Sequence, residues 1–157
     1  MSVDPDAFRA ILGRFASGVT VVTVRDAEGR DHGMTVSAFS SVSLDPPLVL
    51  VCIDDEASIR PVIDRATHFG VSILAADQEA LSRRFAAKCD RFDGIGYERG
   101  EYGVALLGGA LAWLECEIVA RHQTGDHEIV IGEVERGENS DDRPLLYYRG
   151  GYAQLER

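Results

Sequence analysis

GMTVSAFSSVSLDPPLVL, residues Gly33–Leu50, decides how the rest of the chain is read. Gly33, Thr35, Ser37, Ala38, Ser40, Ser41 and Ser43 scatter hydroxyls and small residues among apolar ones. Asp45-Pro46-Pro47 then turns the chain into a bare apolar run. A half-buried strand alternates apolar and polar residues. It has no use for this many hydroxyls, because a buried one without a partner costs free energy. The stretch therefore predicts one or two strands, broken near Ser40–Ser41, whose hydroxyls and backbone amides face something polar. A planar heterocycle with a phosphate tail suits that chemistry.

On either side, the β-branched Val19–Val24 and the run Leu48–Ile53 predict strands. Polar Arg25–Asp31, with Gly29, predicts a hairpin-like turn between the first of these and Gly33. Asp4-Pro5 opens a helix, with Asp as its cap and Pro in its first turn. Phe8, Ile11, Leu12, Phe15 and Ala16 give that helix one apolar face, and Gly18 ends it. Ala57–Ala66 and Gln78–Ala87 predict short helices flanking the strand Phe69–Leu74; Pro61 fits only an opening turn. Arg91–Gly109 reads as glycine-rich and irregular, with an apolar patch at Val104–Leu107. Leu111–His122 and His127–Val134 predict an antiparallel pair turned by Thr124-Gly125-Asp126. Pro144–Tyr148 is the last strand, and Tyr152–Leu155 closes the chain. Six or seven strands with three short helices predict a mainly β domain, a barrel or sandwich, over residues 1–157. No GxGxxG follows the first strand, which excludes a Rossmann dinucleotide site.

The chain has 157 residues, 45% apolar and 27% charged, the composition of a soluble globular protein. Its net charge of −10 argues against nucleic acid and against an anionic membrane surface. MSVDPDAF is no signal peptide, and the longest apolar runs are too short to span a bilayer. Cys52, Cys89 and Cys116 stand far apart with no CxxC pair, the usage of a reduced cytoplasmic protein. His32, His68 and His122 show no ligand spacing with them, so no metal site is expected.

Several segments occur in an order that carries more information than any one of them. These are Phe15–Thr23 (FASGVTVVT), Gly33–Ser43, Asp45–Leu48, Phe85-Ala86, Leu111–Cys116 (LAWLEC), Gly125-Asp126-His127 and Pro144–Tyr147. Together they resemble the flavin reductase-like family of FMN-binding split-barrel proteins. Many of these are the NAD(P)H:flavin reductase partners of two-component monooxygenases. The resemblance implies a six-stranded Greek-key split β-barrel, a homodimer, and flavin bound near the subunit interface. It implies hydride transfer from NADH or NADPH to FMN or FAD, with reduced flavin often released to an oxygenase component. The flavin is then expected along Thr35, Val36, Ser37, Ala38, Ser40, Ser41 and Val42. Backbone at Cys52, Ile53 and Asp54 and the hydroxyl of Ser58 would add contacts, with Phe85 in a matching motif. Ser72 stands where family members often carry Asn. His127 would lie beside the nicotinamide, and the C-terminal Tyr148 and Tyr152 would serve the pyridine nucleotide.

Read from the residues, the candidates have plainer alternatives, and for the hydroxyls of Thr35–Ser43 the alternative is an edge strand with a solvated polar face. Arg83, Arg84, Lys88 and Arg91 form a cationic cluster in an acidic chain, and Lys88 is its one lysine. They make either a solvated helix face or, through Lys88 and Arg83, the counter-charge of a flavin phosphate. Hydride transfer needs no side-chain base, only donor and acceptor atoms aligned at about 3–3.5 Å. His127 is therefore either structural or an orienting hydrogen-bond donor, with Asp126 fixing its ring or merely making the turn. Tyr147, Tyr148 and Tyr152 stack on a nucleotide or close the barrel. Trp113 is expected in the core, and Asp54-Asp55-Glu56 in a solvated loop. Two rivals to a reductase remain: a flavin-binding or electron-transfer module with tightly held FMN, and a cofactor-free dimerisation domain.

Overall fold

Asp4 accepts the amide of Ala7 at 2.8 Å, and Pro5 sits in the first turn of α1 (Pro5–Leu12). The computed structural model describes residues 1–88 and 91–156, so Cys89 lies outside the described residues. The helix ends at its cap Gly13 rather than at Gly18, because Ser17–Gly18 is already a strand, β1. Its apolar face meets no core: Phe8, Ile11, Leu12 and Phe15 are 55, 60, 51 and 80% exposed.

The remaining strands are β2 (Thr20–Arg25), β3 (Asp31–Val36), β4 (Phe39–Ser43), β5 (Leu48–Asp54), β6 (His68–Ile73), β7 (Tyr97–Arg99), β8 (Ala105–Leu107), β9 (Ala112–Thr124), β10 (His127–Asn139), β11 (Leu145–Tyr148) and β12 (Gly151–Gln154). Two short helices, α2 (Arg60–Ile63) and α3 (Glu79–Ala86), complete a mainly β chain. Seven strands form one antiparallel sheet in the order β3-β2-β6-β9-β10-β5-β4, one more than the six implied by the resemblance. A three-stranded sheet, β1-β11-β12, and the β7-β8 hairpin pack beside it.

The continuous β-branched run of β2 follows from burial on both faces. Val22 and Val24 join one apolar cluster, with Val51, Ile53, Phe69 and Val130; Val21 joins the other, with Val19, Leu74, Phe85, Leu107 and Leu145. The Gly33–Leu50 stretch does break into two strands, but at Ser37-Ala38 rather than Ser40–Ser41. Val36 and Phe39 pack on the same core from opposite ends of the sheet, so the chain must turn between them. The Phe39 amide donates to Ser37 O at 2.9 Å and the Cys52 amide to Ala38 O at 3.0 Å, fixing that corner.

The glycine-rich Arg91–Gly109 region is more regular than its composition suggests. Thr23 Oγ1 donates to Ala105 O at 2.7 Å, and the Leu107 amide donates to Ser72 Oγ at 3.1 Å, which lays β8 against β2 and β6. Gly70 permits this close approach, since a Cβ there would lie 2.6 Å from Thr23 Oγ1. Glu115, fully buried, accepts the amides of Glu101 and Tyr102 at 3.0 Å each and Arg136 Nη1 at 2.5 Å, clamping the β7–β8 turn onto β9. Trp113 is half-buried beneath the Arg136 guanidinium, 5.2 Å away, and is not a core residue.

On the β9–β10 pair, carboxylate oxygens of Glu117, Glu133 and Glu135 lie within 4.8 Å of one another. The thiols of Cys52 and Cys116 are free, and burial pushes Cys116 up to about 12. Among the described residues, no helix is long and apolar enough to cross a membrane.

Candidate functional site

Gly33 sits on β3 with no room for a side chain: a Cβ would lie 2.7 Å from Phe85 Cε1 and 3.2 Å from Phe92 Cζ. Phe85, fixed in the core by α3, meets Phe92 edge to face at 5.1 Å. Arg91 Nη1 donates to Gly33 O at 2.5 Å, and Arg91 Nε to Ala87 O at 2.8 Å. Arg84 donates through Nε to Arg91 O at 2.9 Å and through Nη2 to Asp93 O. Two of the four clustered cations thus tie the segment after α3 across β3.

This tethering creates a cavity of about 750 Å³, with Met34 and Thr35 on one side and Glu56, Ala57, Ser58 and Ile59 on the other. Lys88 and Arg91 bring positive charge to it, and Lys88 pairs with no carboxylate among the described residues. At its β3 end, Asp31 is gripped by Arg99 at 2.5 and 3.0 Å, and His32 Nε2 lies 2.9 Å from Asp26 Oδ2. The hydrogen bond with His32, then the amide of Arg30, hold Asp26 well below the usual carboxylate range.

Thr35 and Ala86 also border a smaller cavity of about 200 Å³, with Ser37, Ser82, Tyr147 and Tyr152. Thr35 Oγ1 donates to Ser82 O at 2.6 Å, so its oxygen keeps lone pairs for a ligand. Ser82 Oγ and Tyr152 OH are 2.7 Å apart, Tyr147 meets the Tyr152 ring edge-on, and the Arg83 guanidinium stands 4.9 Å over that ring. Amide, hydroxyl and aromatic walls with a cationic edge suit a planar anionic molecule.

Of the residues expected from sequence, Thr35, Ser37, Ser58, Phe85, Lys88 and Tyr152 line one of the two cavities. Arg83 reaches the smaller one only through Tyr152, with its Nε bound to Glu79 Oε2 at 3.1 Å. Ala38, Ser40, Ser41 and Val42 line neither; they are exposed on the corner and on the edge strand β4. The hydroxyls of β4 are therefore not buried groups demanding a partner, and Ser40 Oγ bonds Ser41 O at 2.9 Å. Val36 and Ile53 are core side chains, Cys52 and Asp54 are half-buried on β5, and Cys52 is raised by burial. Ser72 is fully buried under β8, its hydroxyl engaged by Leu107, away from both cavities. Tyr148 is exposed, and its neighbour Tyr147 takes the place at the cavity.

His127 lines neither cavity but sits opposite Asp54 in the β5–β10 register, at the end that leads into Glu56–Ser58. Its Nδ1 is 2.7 Å from Asp126 Oδ1. With Nδ1 so paired, Nε2 is an acceptor in the neutral ring and a donor only in the imidazolium. As expected, Asp55 and Glu56 are exposed in the turn that follows β5, and only Asp54 belongs to the strand; Gln123 and Arg60 bind Asp55 there and hold its carboxyl below the ordinary value. Sequence reasoning did not single out Ser82, Phe92, His32 or Glu56 for the site. Only Arg91 left a signal, as one of the clustered cations.

The flavin reductase like domain model matches residues 12–156. An NADH-dependent flavin reductase from Rhodococcus sp. is 47% identical over 156 residues, covering 98% of this chain and 88% of that one. The reductase component of 4-hydroxyphenylacetate 3-monooxygenase from Thermus thermophilus is 44% identical over 151 residues, covering 96% of each. The solved NADH:FAD oxidoreductase SgcE6 of Streptomyces globisporus, in complex with NAD and FAD fragments, superposes with a TM-score of 0.92. It is 38% identical, covering 99% of this chain and 96% of that one. With this framework and these cavities, the chain belongs to the flavin reductase-like family.

Proposed function

We propose that the protein is an NAD(P)H:flavin oxidoreductase in which FMN or FAD, held in the cavity beside β3, supplies the acceptor for hydride from NADH or NADPH. The observation that carries this is the cavity of about 750 Å³, within the range of small-molecule and cofactor sites, in a chain of this family. The residues present fit such a molecule. Lys88 and Arg91 offer charge to a phosphate, Thr35 an acceptor to a ring N–H or ribityl hydroxyl, and Ser58 a hydroxyl at the opposite wall. Phe85 and Phe92 exclude water from the floor. His127, steadied by Asp126, orients the carboxamide of the nicotinamide through Nε2, which can answer either its amine or its carbonyl.

The reduced flavin goes to a partner monooxygenase, a reading supported by the Thermus relative being a monooxygenase's reductase component. NADH as donor is supported by the name of the Rhodococcus relative. A homodimer is supported by the uncovered apolar face of α1, which a second copy would bury. We read the seven-stranded sheet as a Greek-key split barrel whose ends meet at Ser37-Ala38, in a single domain of a cytoplasmic protein with free thiols.

The test is oxidation of NADH and of NADPH, each with and without added FMN or FAD. The expected result is oxidation that depends on added flavin with at least one nucleotide. No flavin-dependent oxidation with either nucleotide refutes the proposal.

A further inference from the structure

Two segments of the site meet away from either cavity. One leaves β5 as Asp54–Ile59 and carries Ser58; the other is the β9–β10 turn, Thr124–Asp126, and carries His127. The Asp55 amide donates to Asp126 O at 3.0 Å, and Gln123 Nε2 donates to both Asp55 carboxylate oxygens at 2.9 and 3.0 Å. At the centre is Arg60, the first residue of α2, with a side chain only 14% exposed. Its Nη1 binds Asp55, and its Nη2 donates to Gln123 Oε1 at 2.8 Å and to Glu128 Oε2 at 3.3 Å. Its Nε reaches both oxygens of Asp64 at 3.2 Å.

One guanidinium therefore faces three carboxylates and a carboxamide from the loop, the hairpin and its own helix. As a device for stability this is poor. Buried charges lose hydration that their attraction barely restores, and Glu128 Oε1 has no hydrogen-bond partner among the described residues. Burial, then Asp64, raise the Glu128 carboxyl above its ordinary value. What the arrangement does supply is a fixed offset between the two segments. A planar fork with five donors can satisfy four partners in set directions; an ammonium cannot.

We infer that Arg60 is a positioning residue, whose guanidinium locks the turn bearing His127 to the loop bearing Ser58 and so sets the nicotinamide against the flavin. This rests on the function proposed above, with His127 meeting the nicotinamide. The transfer distance of about 3–3.5 Å makes such an offset matter, since a misplacement of about 1 Å costs up to about 100-fold.

The test uses the full chain with Arg60→Lys and Gln123→Ala, the second at an exposed position where folding is not at stake, and His127→Ala alongside. Four quantities are read: KM for the reduced nicotinamide, Kd for NAD by calorimetry without turnover, Kd for FMN or FAD by fluorescence quenching, and amide exchange at 124–127. Both clamp variants are expected to raise KM and the NAD Kd by about 10-fold and to speed exchange in the turn, with flavin Kd moved by less than about threefold. A merely structural role predicts losses that track Tm and fall equally on flavin and nucleotide, and that pattern overturns the inference. So does unchanged nucleotide binding in both clamp variants while His127→Ala loses it. If His127→Ala also leaves nucleotide binding intact, the assignment of His127 fails first and the inference falls with it.

Discussion

Gly33→Ala tests the architecture of the cavity with a single methyl group. The added carbon would stand 2.7 and 2.9 Å from two ring atoms of Phe85 and 3.2 Å from Phe92. Ordinary carbon contacts begin near 3.5 Å, so one ring has to retreat by roughly 0.7–1 Å. Phe85 is fully buried among Val21, Leu74, Leu107 and Leu145 and has nowhere to go except toward the cavity it lines. Overpacking of this kind costs about 1–3 kcal/mol. For a domain of this size that lowers Tm by about 2–12 °C. A ring pushed into the floor should also weaken flavin binding by about 10-fold, equivalent to about 1.4 kcal/mol. Thermal melts report the first effect and fluorescence quenching the second. Gly96→Ala is the control, since its Cβ would meet nothing within 4 Å, and it should stay within about 0.5 kcal/mol of the parent. A Gly33→Ala protein with the parent's Tm and the parent's flavin affinity would refute the aromatic floor described here.

Ser72→Ala strands the buried amide of Leu107 and should cost about 1–3 kcal/mol in denaturant unfolding; an unchanged midpoint would mean that amide has another acceptor. Glu133 lies opposite Glu117 across β9–β10 and beside Glu135. Glu133→Lys turns that repulsion into attraction and should stabilise by up to about 1 kcal/mol at low salt, with the gain fading as salt screens it. Glu135 is raised above its ordinary value, first by a hydrogen bond shared with Glu117 and then by burial. Its folded form holds its proton more tightly than the unfolded chain, so this cluster favours folding at low pH and loses that contribution as pH rises through the raised value. A melt series from pH 4 upward should therefore show the advantage of Glu133→Lys growing with pH, and an advantage that is flat or shrinks would contradict this.

The parts of the fold that local pattern can express were open to reading: β2 and β5 from their β-branched runs, the β9–β10 hairpin from Thr124-Gly125-Asp126, and the start of α1 from Asp4-Pro5. What depended on distant packing was not. The break at Ser37-Ala38 is set by two core residues meeting from opposite ends of a sheet, and no spacing in the stretch records that. The density of hydroxyls marked the region but could not separate Thr35, which faces the cavity, from Ser40 and Ser41 on an open edge. Adjacent strand residues point to opposite faces, so choosing Tyr147 over Tyr148 needs the register with β12, where Tyr147 faces Tyr152. The bonds of Arg60 to Gln123 and Glu128 span 63 and 68 residues, beyond any local signal.

Two residues, Ser37 and Ala38, are all that separate the opposite margins of the seven-stranded sheet. That dipeptide works as a hinge pin, and whatever grips it grips both margins. A guest seated against Thr35 and Ser37 would bear on the end of β3 and, through the dipeptide, on the start of β4, although the two strands stand farthest apart in the hydrogen-bonded order. Occupancy of one small groove would thereby be felt at both margins of the sheet at once.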